Sequence, residues 1–209
     1  MRTLLILTIL LFSNICFAGL DDVSSSICRI QSNTHIKGTG VIFKKDGKNI
    51  YVLTAGHVVE DEGTYYVQFF GQTYPSRPMA VEVLNKIYQE NTIDDLAVLK
   101  LDLKNWDEKY LVPPTIEIKE NPGIKTVYTY GCPQGGWPTG YKGYLVDAPL
   151  NDIGATYFYP TPHKGRSGSG LFFEQNRRTY LQGTVILTNG AAVPTWKIRE
   201  KLKEWKINE

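Results

Sequence analysis

Short runs rich in Val, Ile, Tyr, Phe and Thr alternate along the chain with clusters of Gly, Pro, Asn and Asp. β-branched and aromatic residues favour strands, whereas the residues between the runs favour turns. Many short strands separated by turns are typical of an all-β sandwich or barrel. The strands predicted from this pattern are Ser26–Gln31, Gly40–Lys44, Tyr51–Thr54, Tyr65–Phe70, Ala80–Leu84, Leu96–Leu101, Lys125–Tyr130, Tyr144–Val146, Ala155–Tyr159, Gly170–Phe173 and Tyr180–Leu187.

Two segments depart from the strand pattern. Residues 112–123, VPPTIEIKENPG, contain three prolines and several charges, which indicates a linker between two halves of the chain. Near the C-terminus, Ile198, Leu202 and Trp205 recur at the i, i+4 and i+7 spacing of a helix. They predict a helix from Thr195 to about Trp205 that packs one apolar face on the body of the protein.

The N-terminal segment differs in sequence pattern from the rest of the chain. Arg2 is followed by an apolar run from Leu4 to Phe12, and a small residue, Ala18, ends the segment. This order is typical of a secretory signal peptide, here residues 1–18, cleaved after Ala18. A membrane anchor is the alternative, but it needs an apolar run of roughly 20 residues. We therefore expect a secreted or periplasmic protein with no stable membrane anchor after cleavage.

Composition excludes some classes of function. The 209 residues suffice for one large domain or two small ones, with 42% hydrophobic and 21% charged residues, as in folded soluble chains. The 23 basic and 21 acidic residues give a formal net charge of +2. This charge and the lack of a basic run do not favour nucleic-acid binding.

The cysteines leave two alternatives open. Signal removal takes Cys16 and leaves Cys28 and Cys132. In an oxidising compartment the pair could form one disulfide. The alternative is two buried free thiols, which behave as small hydrophobic groups.

Two segments in the first half carry candidate chemistry. His57 stands in YVLTAGHVV, where Ala55 and Gly56 allow other chain segments to approach closely. Farther on, Asp94 and Asp95 open the apolar run of IDDLAVLKL. An acid at the edge of a buried strand is costly unless it is paired, and the periodicity does not choose between the two. Taken singly, a structural histidine and a turn aspartate explain these segments better than a catalytic role does.

The third segment is HKGRSGSGLF, residues 163–172, with Ser167 and Ser169 among glycines before an apolar run. Backbone N–H groups in such a turn can converge on one point and stabilise an oxyanion. A serine there becomes a nucleophile only if a base and an orienting acid are supplied. A glycine hairpin without chemistry is the alternative.

Other kinds of active site fit the chain poorly. In α/β-hydrolases with a G-x-S-x-G motif a histidine follows the serine, but none follows Ser167 here. Cys28 and Cys132 lie in no cysteine-protease motif, and the histidines and cysteines show no zinc-ligand spacing.

The three segments together resemble the trypsin/chymotrypsin-like serine proteases. TAGH at 54–57, DLAVL at 95–99 and GRSGSG at 165–170 follow that family's order of His, Asp and Ser. The resemblance is closer to compact bacterial secreted members than to digestive ones, with some similarity to the glutamyl endopeptidases. Further stretches resemble strands and turns of the same family, so that most of the mature chain is covered: GTGVIF, YGCPQGG, YLQGTVIL and AVPTWKIREKL.

The resemblance implies a mechanism. Ser167 would attack the scissile carbonyl, His57 would take and return its proton, and Asp95 would orient the imidazole. The backbone N–H groups of Gly165 and Ser167 would form the oxyanion hole. A polypeptide would be the substrate, no cofactor or metal would be needed, and the protein would be a monomer.

The resemblance also implies a fold, which is all-β with two antiparallel six-stranded barrels and a C-terminal α-helix. The first barrel would span residues 23–111 and carry His57 and Asp95. The second would span 124–191 and carry Ser167, with 112–123 between them and a helix at 194–206. Together they would form one peptidase domain with the site in the cleft.

Several positions depart from the family's pattern. Arg166 stands where an Asp or Asn is usual and cannot pair with a new N-terminal ammonium, so we expect no zymogen activation of that kind. Ile186 offers Asp95 no side-chain hydrogen bond. A catalytically inactive binding protein, with the oxyanion hole collapsed by Arg166, is therefore the rival hypothesis. Counting from Ser167 and Gly183 places these residues around the substrate pocket: Thr161, His163, Lys164, Leu187 and Thr188.

The predicted pocket has no acid at its base, so a preference for Lys or Arg lacks its counter-charge. His163 and Lys164 could favour an acidic side chain, but Val185 stands where the glutamyl endopeptidases carry histidine. We expect a small or apolar preference ahead of an acidic one.

Overall fold

Twelve strands form in residues 23–33, 35–70, 75–149, 152–187 and 189–208, the residues that this computed structural model describes. The signal peptide predicted for residues 1–18 lies outside them and stays a prediction. In chain order, the first six strands close into one antiparallel barrel and the last six close into a second. The predicted two-barrel fold with a C-terminal helix is confirmed.

The strands overlap all eleven predicted segments, and several of them extend well beyond the predicted bounds. The first barrel consists of β1 (Ile27–Ser32), β2 (Ile36–Lys45), β3 (Asn49–Thr54), β4 (Tyr65–Phe69), β5 (Met79–Tyr88) and β6 (Asp95–Asp102). The second consists of β7 (Thr126–Gly131), β8 (Thr139–Val146), β9 (Thr156–Tyr159), β10 (Gly170–Gln175), β11 (Arg178–Leu187) and β12 (Ala191–Pro194).

Strand β6 of the first barrel is buried over most of its length. It pairs with β3 on one side and β5 on the other, and Asp95–Leu99 are buried without a break. A strand that is buried on both faces has a continuous run of apolar residues instead of alternating apolar and polar residues. This explains the pattern of DLAVL, in which Asp95 is the only charged member.

Strand β12 was missed by the sequence pattern. Its residues, AAVP, are short of β-branched side chains and end in Pro194, which is a helix-start signal. The strand forms because tertiary pairing overrides propensity. It pairs with β11, where Gly183 lies opposite Pro194, and with β9, and so closes the second barrel.

The segment predicted as a linker is held by both barrels. Ile116 N–H donates to the Ile42 carbonyl of the first barrel (3.0 Å), and Lys119 N–H donates to the Leu181 carbonyl of the second (2.9 Å). The C-terminal helix, Thr195–Glu204, buries Ile198 and Leu202 as the apolar stripe predicts. Within the described residues, no helix is long and apolar enough to cross a membrane.

Cys28 and Cys132 are both free thiols in the structure, which is the second of the two alternatives. Cys28 lies on β1 of the first barrel, and Cys132 directly follows β7 of the second. Burial raises the pKa of the Cys28 thiol well above its ordinary value and raises that of Cys132 to about 12. Neither sulfur is a ready thiolate, so a cysteine nucleophile is disfavoured.

Candidate active site

A buried aspartate, Asp95, orients His57. His57 lies in the short turn Gly56–Val59 after β3, and Asp95 is the first residue of β6. The Asp95 carboxylate accepts the backbone N–H of His57 at Oδ1 (2.9 Å) and pairs with its Nδ1 at Oδ2 (2.7 Å). Asp95 is 3% exposed, whereas the His57 side chain is 27% exposed. The first hydrogen bond fixes the carboxylate against the turn, and the second fixes the ring through Nδ1, so that Nε2 is the ring nitrogen that Asp95 does not engage.

Gly56 explains how the histidine reaches this position. A methyl group on Gly56 would overlap the carbonyl oxygen of Ile87 on β5. Only glycine allows the turn to lie directly on that strand. In the same region the Tyr88 ring lies 5.9 Å from the His57 ring and covers part of it.

Asp95 and Asp94, which the periodicity of the sequence does not separate, have different partners in the structure. Asp94 points to the C-terminal helix, where its Oδ1 lies 3.1 Å from Nζ of Lys197. Burial opposes charge on Lys197, but its hydrogen bonds to Glu200 and Asp94 raise its pKa. Asp94 is thus a structural partner of the helix, and Asp95 is the partner of His57.

The two serines also separate clearly. Ser169 is 0% exposed, and a methyl group on Gly131 would overlap its Oγ. Ser167 is only half-buried. Gly165 (φ +87°) and Gly168 (φ +81°) take left-handed conformations on either side of it, which non-glycine residues rarely adopt. A sharp turn rather than a flexible loop therefore presents Ser167.

Contacts between the barrels bring the Ser167 turn against the His57 segment. Thr39 N–H donates to the Ser167 carbonyl (2.8 Å). A methyl group on Gly38 would lie 2.7 Å from both the Ser167 carbonyl oxygen and a Val58 methyl. No hydrogen bond joins Ser167 Oγ to His57 among the described residues, although catalytic hydrogen bonds often tighten only around substrate.

The peptide planes of the turn set the directions of two amides. The Lys164 carbonyl accepts Gln134 N–H (3.1 Å), and the Arg166 carbonyl accepts Ser169 N–H (2.8 Å). In a planar trans peptide the N–H points opposite to its C=O, so the N–H groups of Gly165 and Ser167 point away from these partners. Neither amide donates a hydrogen bond within the described part of the chain. Both are available to an oxyanion.

A family model for the trypsin-like peptidase domain matches residues 38–179, a span that includes His57, Asp95 and Ser167. The chain belongs to the trypsin-like peptidase family. No curated protein matches it in sequence.

Solved trypsin-like peptidases share the fold. An inactive serine-to-alanine mutant of Rv3671c from M. tuberculosis H37Rv is 19% identical over 93% of each chain, with a TM-score of 0.66. The MamO protease domain from Magnetospirillum magneticum is 18% identical over 88% of this chain and 98% of its own, with a TM-score of 0.63. A serine endoprotease from Yersinia pestis is 25% identical over 90% of this chain and 65% of its own, with a TM-score of 0.66.

Arg166 is anchored inside the second barrel of this trypsin-like peptidase. It is 3% exposed, its Nη2 donates to Thr139 Oγ1 (2.5 Å), and its guanidinium carbon lies 4.9 Å from the Tyr141 ring centre. Burial lowers the pKa of Arg166, and within the described part of the chain its Nε and Nη1 have no hydrogen-bond partner. Both of its attachment points lie on β8, while the amides of Gly165 and Ser167 remain unpaired.

The predicted substrate pocket is described in part. Thr161, His163 and Lys164 are exposed on the segment that leads to Ser167. Leu187 is the last residue of β11, and the structure describes only its backbone. Thr188 lies outside the described residues. Among the described residues, no group of three or more His, Cys, Asp or Glu side chains is arranged to hold a metal ion.

Thr39 and Gln134 hold the Ser167 turn, but the sequence did not single them out. Thr39 lies in the stretch GTGVIF and Gln134 in YGCPQGG, both of which carried the family resemblance. A polar residue between two glycines in a buried strand was the available signal for Thr39. Gln134 acts through its backbone N–H, which leaves no signal in the side-chain pattern.

Proposed function

We propose that this protein is a serine endopeptidase that is secreted or periplasmic and cleaves polypeptides. The observation that carries the proposal is the arrangement of a buried Asp95 that orients His57, beside a half-buried Ser167 with two unpaired amides. The signal-like residues 1–18 support export, and the family match supports a peptidase. Residues 23–111 and 124–191 would act as one domain, as a monomer.

The proposed chemistry is acyl transfer. Ser167 Oγ attacks the scissile carbonyl carbon while His57 Nε2 takes its proton, and the carbonyl oxygen becomes an oxyanion held by the amides of Gly165 and Ser167. The C–N bond breaks as the imidazolium gives its proton to the leaving amine, which leaves an ester on Ser167. Water, deprotonated by His57, then hydrolyses the ester and restores the serine. Asp95 stabilises the charged imidazole throughout.

The exposed residues before Ser167 bear on substrate choice. Thr161, His163 and Lys164 include no acid that could neutralise a Lys or Arg side chain of the substrate. We expect cleavage mainly after small or apolar residues, with acidic residues second because of the two basic side chains. Cleavage mainly after Lys or Arg would show that the pocket is formed by other residues.

A second candidate is a peptide-binding protein without turnover. Arg166 favours it, because a buried guanidinium with two nitrogen atoms that have no partner among the described residues is costly next to the nucleophile. In that case the fold would bind polypeptides but the turn would not stabilise an oxyanion.

Hydrolysis of a library of internally quenched peptides separates the two candidates. The endopeptidase predicts hydrolysis by the wild type, loss in Ser167→Ala and retention in Ser169→Ala, since Ser169 is buried away from solvent. Peptide binding without hydrolysis by all three proteins would instead support the binding protein.

A further inference from the structure

Thr39 makes four hydrogen bonds at the junction of the two barrels. It lies on β2 and is 0% exposed. Its N–H donates to the Ser167 carbonyl (2.8 Å), and its carbonyl accepts the Thr54 hydroxyl (2.7 Å). Its own hydroxyl lies 3.0 Å from the Gly165 carbonyl and 2.9 Å from the Cys132 amide.

The roles of the Thr39 hydroxyl are fixed by its partners. A carbonyl can only accept, so the hydroxyl donates its single proton to Gly165 and accepts the N–H of Cys132. The first bond orients the Gly165–Arg166 peptide. The second holds the turn that follows β7, from which Gln134 N–H reaches the Lys164 carbonyl (3.1 Å). The peptides on both sides of Gly165 are thereby held by groups that Thr39 contacts or supports.

This hold is needed because Gly165 has little conformational preference of its own. At φ +87° it occupies a region that glycine adopts about as readily as it adopts negative φ values. Its N–H points toward the candidate oxyanion site only while the neighbouring carbonyls keep their partners. The remaining Thr39 bond, to Thr54, reaches the last residue of β3, three positions before His57.

We propose that Thr39 is a positioning residue, in which a hydroxyl of the first barrel keeps the oxyanion turn of the second barrel in its productive shape. The proposal rests on the endopeptidase function given above. Thr39 touches neither substrate nor reacting atoms, and it acts through the Gly165 carbonyl and the Cys132 amide.

The direct test compares Thr39→Val, which keeps the shape and removes the hydroxyl, with Thr39→Ser, which keeps the hydroxyl. We expect Thr39→Val to lower kcat by roughly 10- to 100-fold, because misplacement of a catalytic group by about 1 Å has an effect of that size. KM should change by less than about twofold, since the lost stabilisation is specific to the transition state. Thr39→Ser should restore most of kcat.

Thr129→Val is the matched control. Thr129 is an equally buried threonine on β7, but its hydroxyl has no hydrogen-bond partner. We expect wild-type kcat and KM from it. If Thr39→Val and Thr129→Val have the same kinetics, or if Thr39→Ser is as slow as Thr39→Val, the proposal is wrong.

A second readout does not depend on turnover. Amide hydrogen exchange followed by NMR should show faster exchange at Cys132 in Thr39→Val than in wild type, together with a shifted Gly165 amide resonance. Thr39→Ser should retain both signals. A wild type without peptidase activity would overturn the proposed function alone, whereas unchanged Cys132 exchange and Gly165 resonance in Thr39→Val would overturn the role of Thr39.

Discussion

The Asp95–His57 pair lies wholly in the first barrel, whereas the turn that presents Ser167 is held by both barrels. The pair is fixed by two hydrogen bonds between its own members. The turn instead depends on Thr39 from the first barrel, and on Gln134 and the Arg166 anchor from the second. One half of the site is complete within its barrel, and the other half requires the barrels to be docked.

This difference has a physical basis. A carboxylate and an imidazole carry polar atoms that can satisfy each other, so a buried pair is stable wherever the backbone brings them together. The glycines of the Ser167 turn have no side chains that could fix its backbone, and Arg166 is the side chain that anchors it to β8. The shape of the turn must come from neighbouring groups, and each of these is a separate place at which activity can be lost.

Breaking the Asp95–His57 pair, which lies within the first barrel, should have the largest effect on kcat. Asp95→Asn keeps the shape but removes the charge that stabilises imidazolium, and we expect kcat to fall by about 10⁴-fold. Asp94→Asn is the matched control, because Asp94 pairs with Lys197 instead. It should change kcat by less than about twofold, since such pairs contribute little. Equal losses in steady-state assays of the two variants would contradict the assignment of Asp95.

Breaking the turn at its glycine should have the next largest effect. A methyl group on Gly165 would lie 2.5 Å from the Gln134 nitrogen, so Gly165→Ala must displace the oxyanion amide. We expect kcat to fall by roughly 10²- to 10³-fold, the usual loss for one oxyanion donor.

Gly123→Ala serves as its control. Gly123 also has a positive φ, of +103°, but a methyl group there meets nothing within 4 Å. It should cost about 1 kcal/mol of unfolding free energy from backbone strain and leave kcat unchanged. If Gly165→Ala retained wild-type kcat, its amide could not be an oxyanion donor.

Removing the Arg166 anchor should have a smaller effect and should separate activity from stability. Arg166→Met loses the bond to Thr139 and the contact with Tyr141, and we expect kcat to fall roughly tenfold as the turn loosens. The unfolding midpoint should change little, because the substitution also removes a buried charge with unpartnered donors. Steady-state kinetics and thermal melts of Arg166→Met test this, with the exposed Arg178→Met as the control. A higher kcat in Arg166→Met would instead support the hypothesis that Arg166 collapses the oxyanion hole.

The smallest effect on kcat concerns the thiol beside the turn, which acts on stability and only at high pH. The pKa of Cys132 rises from its ordinary 9.0 to about 12 on folding. The folded state therefore holds the thiol proton more tightly, and this contribution is complete below pH 9 and is lost as the pH rises toward 12. Denaturant titrations should show wild type losing stability relative to Cys132→Ala over that interval. Parallel curves, with no alkylatable thiol in unfolded protein, would instead indicate a Cys28–Cys132 disulfide.

The two halves were also predictable from the sequence to different degrees. His57 and the Asp94–Asp95 pair were found because acids and histidines are rare beside buried strands, and the family resemblance rather than the periodicity selected Asp95. The Ser167 turn was found from its glycines. The groups that hold the turn were not found from the sequence. Gln134 acts through its backbone N–H, and Thr39 reaches the turn only because the two barrels lie against each other. Strand β12 was missed for a related reason, since pairing rather than composition makes it a strand.

The most direct measurement is the site of covalent labelling by a fluorophosphonate, located by peptide mapping. An activated serine displaces fluoride from phosphorus and keeps the phosphonyl group, which reports both the nucleophile and its surroundings. We predict one adduct, on Ser167, that is lost in Ser167→Ala and strongly slowed in Asp95→Asn, and that persists in Ser169→Ala. Folded wild-type protein that remains unlabelled, or an adduct on Ser169, would contradict the proposed active site.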